Sequence, residues 1–286
     1  MRVLELFCGI GGCTEALTSG SEVVLAIDHD RLALSVYEAN HPHPTRVQNL
    51  SSARASSIPA ADLWWMSPPC QPYTVRGARR DLDDRRADSL KHVLKLVQEL
   101  APPAIALENV PFFVGSRAHA LVREVLQRSG YQVAERMLCP SELGVPGQRR
   151  RFYLVAAKRL GAWRPAERPL GPLAAYLDAE PDPGLFLGAD LLARFGTALH
   201  VVNRDDPTAV AACFTSAYGN SPVYAGSYLR EGDRLRHFAP REIARLMGFG
   251  EDFALPDDLP LRKGWGLVGN SLAVQAVRVV LGAVGA

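Results

Sequence analysis

The sequence predicts an α/β fold: a mostly parallel sheet with helices on both faces, plus a small irregular second domain. Three observations predict it. Strand and helix patterns alternate through the first 158 residues. A glycine-rich turn leaves the end of the first strand. After about residue 160 the alternation dissolves into proline-rich chain. Repeated strand–helix–strand order means parallel strands joined by crossover helices.

The elements run in order. "RVLELF" (2–7) reads as a buried strand and "EVVLAID" (22–28) as the second. "DLWWMS" (62–67), "AIALENV" (104–110) and "RFYLVAA" (151–157) are the third, fourth and fifth. Helical spacing of apolar residues marks 11–19, 29–40, 88–100 and 117–129 between them. "WRPAERPLGPLAAYLDAEPDPG" carries five prolines in 22 residues, which no regular element tolerates. A small domain is therefore expected at 160–233. "APREIARLMGF" (239–249) is helical again, and "SLAVQAVRVVLGAV" (271–284) is an apolar helix that needs a core to join. The large domain is expected to comprise 1–159 and 234–286.

Composition narrows the class. The chain is 48% hydrophobic and 22% charged, with no low-complexity tract and no run of about 18 apolar residues. The N-terminus lacks a signal-peptide pattern, so a cytoplasmic protein is expected. Five cysteines, an odd number, include no CxxC pair and no zinc spacing, so free thiols, a reducing compartment and no metal are expected. The net charge of +2 does not by itself announce a nucleic-acid partner. Arginine nevertheless outnumbers lysine 28 to 4. Coding bias accounts for much of that ratio, but clusters at Arg76–Arg86 and Arg149–Arg151 adjoin the motifs below. No oligomer signal is visible, and a self-sufficient monomer is expected.

Ligands in open α/β sheets bind beyond the carboxyl ends of the strands. Phe7-Cys8-Gly9-Ile10-Gly11-Gly12 lies at one such end, where glycines let backbone approach a ligand closely. Asp28 ends the second strand, 19 residues after Gly9, and a carboxylate there can accept the hydroxyls of a ribose. Thr14 stands where a dinucleotide site would have its third glycine. That weakens a nicotinamide or flavin oxidoreductase reading and favours an adenosine cofactor without pyrophosphate, S-adenosylmethionine.

"SPPCQPYT" (67–74) places Cys70 just past the third strand, between prolines that fix the backbone. A stiff loop holds a nucleophile at one height. A buried structural cysteine at a proline turn is the plainer alternative. Cytosine carbon 5 becomes nucleophilic only after a thiolate adds to carbon 6. Such chemistry also needs an acid at ring nitrogen 3, and Glu108 of "ENV" ends the fourth strand. To give a proton near neutrality Glu108 needs a dry site. Arg149 and Arg151 of "PGQRRRFYLVA" lie two apart, and strand alternation would aim both to one face to hold the base, a phosphate or Glu108.

Taken together, "FCGIGG", "SPPCQP", "ENV", "QRRRFYLV" and the late "GNS" (269–271) resemble, in this order, the motifs of the cytosine-5 methyltransferase family. The resemblance spans 1–158 and 234–286. It implies a Rossmann-like S-adenosylmethionine-dependent methyltransferase domain with a small target-recognition domain. "CFTSAYG" (213–219) resembles the branch historically named as a DNA methyltransferase that acts on cytosine 38 of tRNA-Asp, and in some bacteria tRNA-Glu. The resemblance implies Cys70 as nucleophile, Glu108 as acid, and Arg149 and Arg151 as the arginine pair. It implies cofactor contacts from Phe7, Gly9, Ile10, Gly11, Gly12, Asp28, Asn49, Leu50, Ser67, Asn270 and Ser271. For a tRNA partner, Arg76, Arg79 and Arg80 are expected to touch phosphates, and Cys213, Phe214, Thr215 and Tyr218 to face the substrate. Asn49 stands where many relatives carry aspartate, and Gly147 where they carry a polar residue. A DNA cytosine-5 methyltransferase and a catalytically silent nucleic-acid-binding module are the alternative readings.

Overall fold

The computed structural model describes residues 1–73, 80–161, 163 and 168–284. Among them lie strands β1 (Arg2–Leu6), β2 (Glu22–Asp28), β3 (Thr45–Val47), β4 (Leu63–Met66), β5 (Ala104–Asn109), β6 (Gln132–Leu138), β7 (Arg151–Ala157), β8 (Val201–Asn203), β9 (Tyr228–Glu231) and β10 (Arg234–His237). The helices are α1 (Arg31–Asn40), α2 (Asp88–Leu100), α3 (Arg117–Arg128), α4 (Ala189–Phe195), α5 (Pro240–Leu246), α6 (Leu261–Asn270) and α7 (Val274–Ala283). The chain divides into two compact units. The first comprises Met1–Leu138, Arg150–Arg164 and Val277–Ala286; the second comprises Cys139–Arg149 and Pro165–Ala276.

The first unit holds a seven-stranded sheet in the order β3-β2-β1-β4-β5-β7-β6. Every pair is parallel except those of β7, which runs antiparallel to both β5 and β6. Alternation sends Leu4, Leu6, Ile27, Trp64, Met66, Ile105 and Leu107 into one core with the apolar faces of α2 and α3. Residues of opposite parity, including Glu5, Trp65 and Val155, are buried on the other face, where the Tyr37 hydroxyl of α1 meets Glu5. The helices start where the sequence caps them. Asp30 accepts from the amides of Leu32 and Ala33, and Ser116 from that of His119.

Two expectations change. The helix expected at 11–19 is only a 3-10 turn over Thr14–Ala16. The Glu5 carboxylate explains why: it takes the Cys13 amide and the Thr14 hydroxyl that a longer helix would arrange differently. The second difference is two unexpected strands, β3 and β6. β3 is three residues long and β6 is largely half-exposed, so neither carries the apolar pattern of an inner strand.

The second unit contains a three-stranded sheet, β10-β9-β8, with α4, α5 and α6. Its core is aromatic. Tyr218 meets Tyr228, His237 and Trp265 with ring centroids 5.4–5.8 Å apart, and Phe214 meets Tyr218 and Phe238 at 5.0 Å. Trp265 of α6 donates to the Phe238 carbonyl at 2.8 Å. That packing places 234–276 in the second unit by compactness, whereas the sequence expectation put 234–286 in the catalytic domain and only 160–233 in the small one. The stretch Leu261–Ala283 is long and apolar enough to cross a membrane by length and composition, contrary to the reading that no such run exists. It is divided into α6 and α7, and 67% of its most apolar 18 residues are buried inside the protein.

Candidate active site

β1 delivers its chain into a turn that bends back under its own end. Phe7 takes φ +59 and Gly9 φ +55, both left-handed. Such a backbone costs a bulky residue energy and persists where surroundings hold it. Here the Cys8 amide donates to the Ile27 carbonyl at 3.1 Å and the Gly9 amide to Asp28 Oδ2 at 2.9 Å. Gly11, at φ +93, lies so close to His41 that a β-carbon would sit 2.6 Å from Nε2. A glycine is required there on both counts.

Asp28 is 8% exposed. Burial pushes its carboxyl up, but the His29 ring and the amides of Asp30 and Gly9 more than offset that and hold it below the usual range. It is therefore an ionised acceptor at neutral pH. His29, drawn up chiefly by its bond to Asp28, sits beside it.

A cavity of about 290 Å³ opens over these strand ends. Of the expected cofactor residues, Phe7, Asp28, Asn49 and Leu50 line it, joined by Pro69 of the proline loop. Gln48, Arg86 and Ser89 also line it, and sequence reasoning missed them. A signal existed for Arg86 in the arginine cluster, but not for Gln48 beyond its place after β3. Gln48 Oε1 is buried without a hydrogen-bond partner. Asn49 uses its side-chain oxygen to cap the turn at Ser51, at 3.0 Å. Gly9, Ile10, Gly11 and Gly12 form the turn, and Ser67 accepts from Trp65 Nε1 at 2.8 Å; none of these five is among the lining residues. Asn270 and Ser271 belong to the second unit.

Cys70 is half-buried on the loop after β4. The loop is braced twice: Asn109 Nδ2 donates to the Pro68 carbonyl at 3.1 Å, and the Tyr73 amide donates to the Cys70 carbonyl at 2.9 Å. Tyr73 is itself locked edge-on against Phe113. Burial pushes the thiols of Cys8 and Cys13 well up, and Cys139 is buried, so none of these three is placed to act as a nucleophile.

Glu108 is the penultimate residue of β5, the strand paired to β4, and is 9% exposed. Arg151 Nε lies 3.3 Å from its Oε1. Arg149 goes elsewhere. Its guanidinium donates to the Phe214 carbonyl at 3.1 Å, to the Gly269 carbonyl at 3.3 Å and to the Ser271 carbonyl, all within the second unit. The expectation that both arginines share one face fails because β7 begins only at Arg151, so strand alternation does not reach Arg149.

Of the residues expected to meet the substrate, Arg76 and Arg79 lie outside the described residues. Arg80 is exposed, and Cys213 and Thr215 are half-buried. Phe214 and Tyr218 are 5% and 1% exposed inside the aromatic core, so their side chains cannot present themselves to a polymer. The Tyr218 hydroxyl is committed to the Ser227 carbonyl and the Phe238 amide. Among the described residues no group of three or more His, Cys, Asp or Glu could hold a metal.

The arrangement offers a braced thiol, a carboxylate–guanidinium pair and an adjoining cavity with a buried acid, which suits covalent catalysis with a bound donor. Residues 1–170 match the family model described as C-5 cytosine-specific DNA methylase. The chain belongs to that methylase family. A tRNA (cytosine(38)-C(5))-methyltransferase of Schizosaccharomyces pombe is similar to the methylase at 31% identity, over 98% of this chain and 96% of the relative. The crystal structure of the S. pombe Dnmt2 methyltransferase superposes with a TM-score of 0.88 at 30% identity, over 98% of this chain and 97% of that one. An Entamoeba histolytica methyltransferase superposes with a TM-score of 0.92 at 25% identity, over 98% and 96%. The match to this methylase thus runs through the second unit as well as the first.

Proposed function

We propose that this chain is an S-adenosylmethionine-dependent tRNA cytosine-5 methyltransferase that modifies cytosine 38 in the anticodon loop of tRNA-Asp, tRNA-Glu being the alternative acceptor. The observation that carries this reading is the half-buried thiol of Cys70 on a braced loop beside the strand that ends in the Glu108–Arg151 pair. Whole-length relatives that bear the tRNA name support the choice of polymer.

The cavity suits an adenosine cofactor. Asp28 spends three acceptor positions on His29, Asp30 and Gly9, and a carboxylate has about four. Gln48 Oε1 is a buried acceptor that a bound donor group would satisfy. Asp28 would hold the ribose, with Asn49 and Leu50 beside the adenine.

In the reaction, Cys70 Sγ forms a bond to ring carbon 6 and the ring's electron pair shifts towards carbon 5. Glu108 meets ring nitrogen 3 and the exocyclic amine, and Arg151 fixes the carboxylate for that contact. S-adenosylmethionine, when bound, supplies an electrophilic methyl group for carbon 5. With the donor leaving as S-adenosylhomocysteine, loss of the carbon-5 proton to solvent and of the thiolate from carbon 6 then restores the aromatic ring and frees Cys70. An anticodon loop presents unstacked bases, which lowers the cost of bringing cytosine to the thiol.

The test is transfer of labelled methyl from S-adenosylmethionine to total tRNA and, in parallel, to duplex DNA, with wild type and Cys70→Ala. Label in tRNA that the substitution abolishes is expected. The family description keeps DNA as the second reading, and label in DNA alone would establish it instead. Label in neither polymer would overturn both.

A further inference from the structure

The turn that leaves β5 exposes an aromatic ring that the reaction above does not use. Phe112 is 59% exposed in the 3-10 turn Pro111–Phe113, while its neighbour Phe113 is fully buried. Phe113 contacts the rings of Tyr73, His119 and Phe152 at 5.0–5.7 Å. Burial of one phenylalanine therefore fixes where the other is presented.

Two connections put this turn at the edge of the reacting groups. It comes directly after Glu108 and Asn109, and Asn109 is bonded to the Pro68 carbonyl, two residues before Cys70. On its other side, Arg117 donates to the Arg80 carbonyl at 3.4 Å, while its amide and that of Ala118 donate to Asp81. Exposed Arg80 is thereby tethered to the segment that leads on from Phe112. An exposed ring at the edge of a site is a means by which proteins hold single-stranded nucleic acid, the ring taking a base face. Bases unstacked from RNA loops are held on aromatic side chains in the same manner.

We infer that Phe112 is the stacking platform for an unpaired base that flanks the reacting cytosine in the RNA substrate. The inference rests on the tRNA reading above and adds to it a specific contact. Stacking needs a flat ring, so an aliphatic side chain of similar size does not replace it. It concerns substrate engagement, so cofactor binding is independent of it.

The experiment compares wild type, Phe112→Ala, Phe112→Leu and Phe112→Tyr in steady-state methyl transfer to purified tRNA-Asp, with the dissociation constant of S-adenosylhomocysteine measured alongside. The alanine and leucine variants should raise KM for tRNA about tenfold, with kcat and cofactor affinity at wild-type values. The tyrosine variant should stay within about twofold of wild type, since it keeps the ring. An unchanged KM in Phe112→Ala would overturn the inference. So would leucine rescue equal to that by tyrosine, or a parallel loss of cofactor affinity, because either would make the contact merely apolar or structural. Wild type that methylates duplex DNA and not tRNA would remove the substrate reading itself, and this inference with it.

Discussion

Arg149 and Arg151 are two residues apart in sequence and perform different work. Arg149 is 6% exposed and gives its guanidinium to three main-chain carbonyls. Arg151 faces the carboxylate of Glu108 and also donates to the Arg150 carbonyl. Replacing Arg149 with methionine keeps the stem but strips three buried acceptors of a donor, at a cost of roughly 3 kcal/mol or more. The urea midpoint of Arg149→Met should fall accordingly, with the loss read at equilibrium. Arg151→Met should also cost stability, on the order of 3 kcal/mol, because it takes the guanidinium away from a buried carboxylate. Its kcat should in addition drop at least about a hundredfold with cofactor affinity retained, since it orients the group that meets the base. Equal effects of the two variants on kcat would contradict this division of labour. The sequence showed that the arginines mattered, but not that they part. Which of them lies in a strand depends on where β7 begins, and that boundary is set by pairing with β5 and β6 rather than by local pattern.

Among the elements, the inner strands β1, β2, β4, β5 and β7 were legible because burial on both faces writes them as apolar runs. Edge strands β3 and β6 were not, because they lack that constraint. Non-local braces were equally invisible. Asp81, at φ +53, accepts from the first amides of α3, 36 and 37 residues away. Asn109 joins the end of β5 to the loop after β4 across 41 residues. The Asn109 side chain is bipartite: Oδ1 accepts from the Val110 amide at 2.9 Å while Nδ2 donates to Pro68. Asn109→Asp preserves shape and the first bond, but sets an oxygen against the Pro68 carbonyl. The loop that carries Cys70 should then lose its fixed height. The expected result is a fall in kcat of about tenfold or more, with cofactor affinity unchanged, measured by single-turnover methyl transfer. A wild-type single-turnover rate would show that the prolines and the Tyr73–Cys70 bond hold the loop without Asn109.

Across the whole molecule, the glycine turn and the acid at 28 pointed to a ligand cavity, and the structure builds one there. What no pattern revealed is that the same turn rests on a buried carboxylate. Glu5 is fully buried and accepts from the Cys13 amide, the Thr14 hydroxyl and the Tyr37 hydroxyl. Burial outweighs those bonds and lifts its pKa from the ordinary 4.5 to about 7. Cys8, Cys13 and Tyr37 are driven upward by burial first and by its charge second, so they stay neutral through this range and do not titrate with it. The consequence for stability has a definite sign. Below pH 4.5 the carboxyl is protonated in both folded and unfolded chains, and no penalty exists. Between 4.5 and 7 the unfolded chain ionises first, so the folded state loses ground as pH rises. Above 7 both are ionised and the penalty is complete, on the order of 3 kcal/mol for a shift of this size. Glu5→Gln keeps an oxygen for the Cys13 amide, turns an amide donor towards the Thr14 hydroxyl oxygen, and cannot ionise. Relative to wild type it should therefore gain about 2 kcal/mol of stability between about pH 5 and pH 8, read as the change in the difference of their urea unfolding free energies. All other titrating groups are shared by the two proteins and cancel in that difference. A difference that stays constant across the range would mean that Glu5 is already ionised at its acid end, held so by the bonds from Cys13, Thr14 and Tyr37.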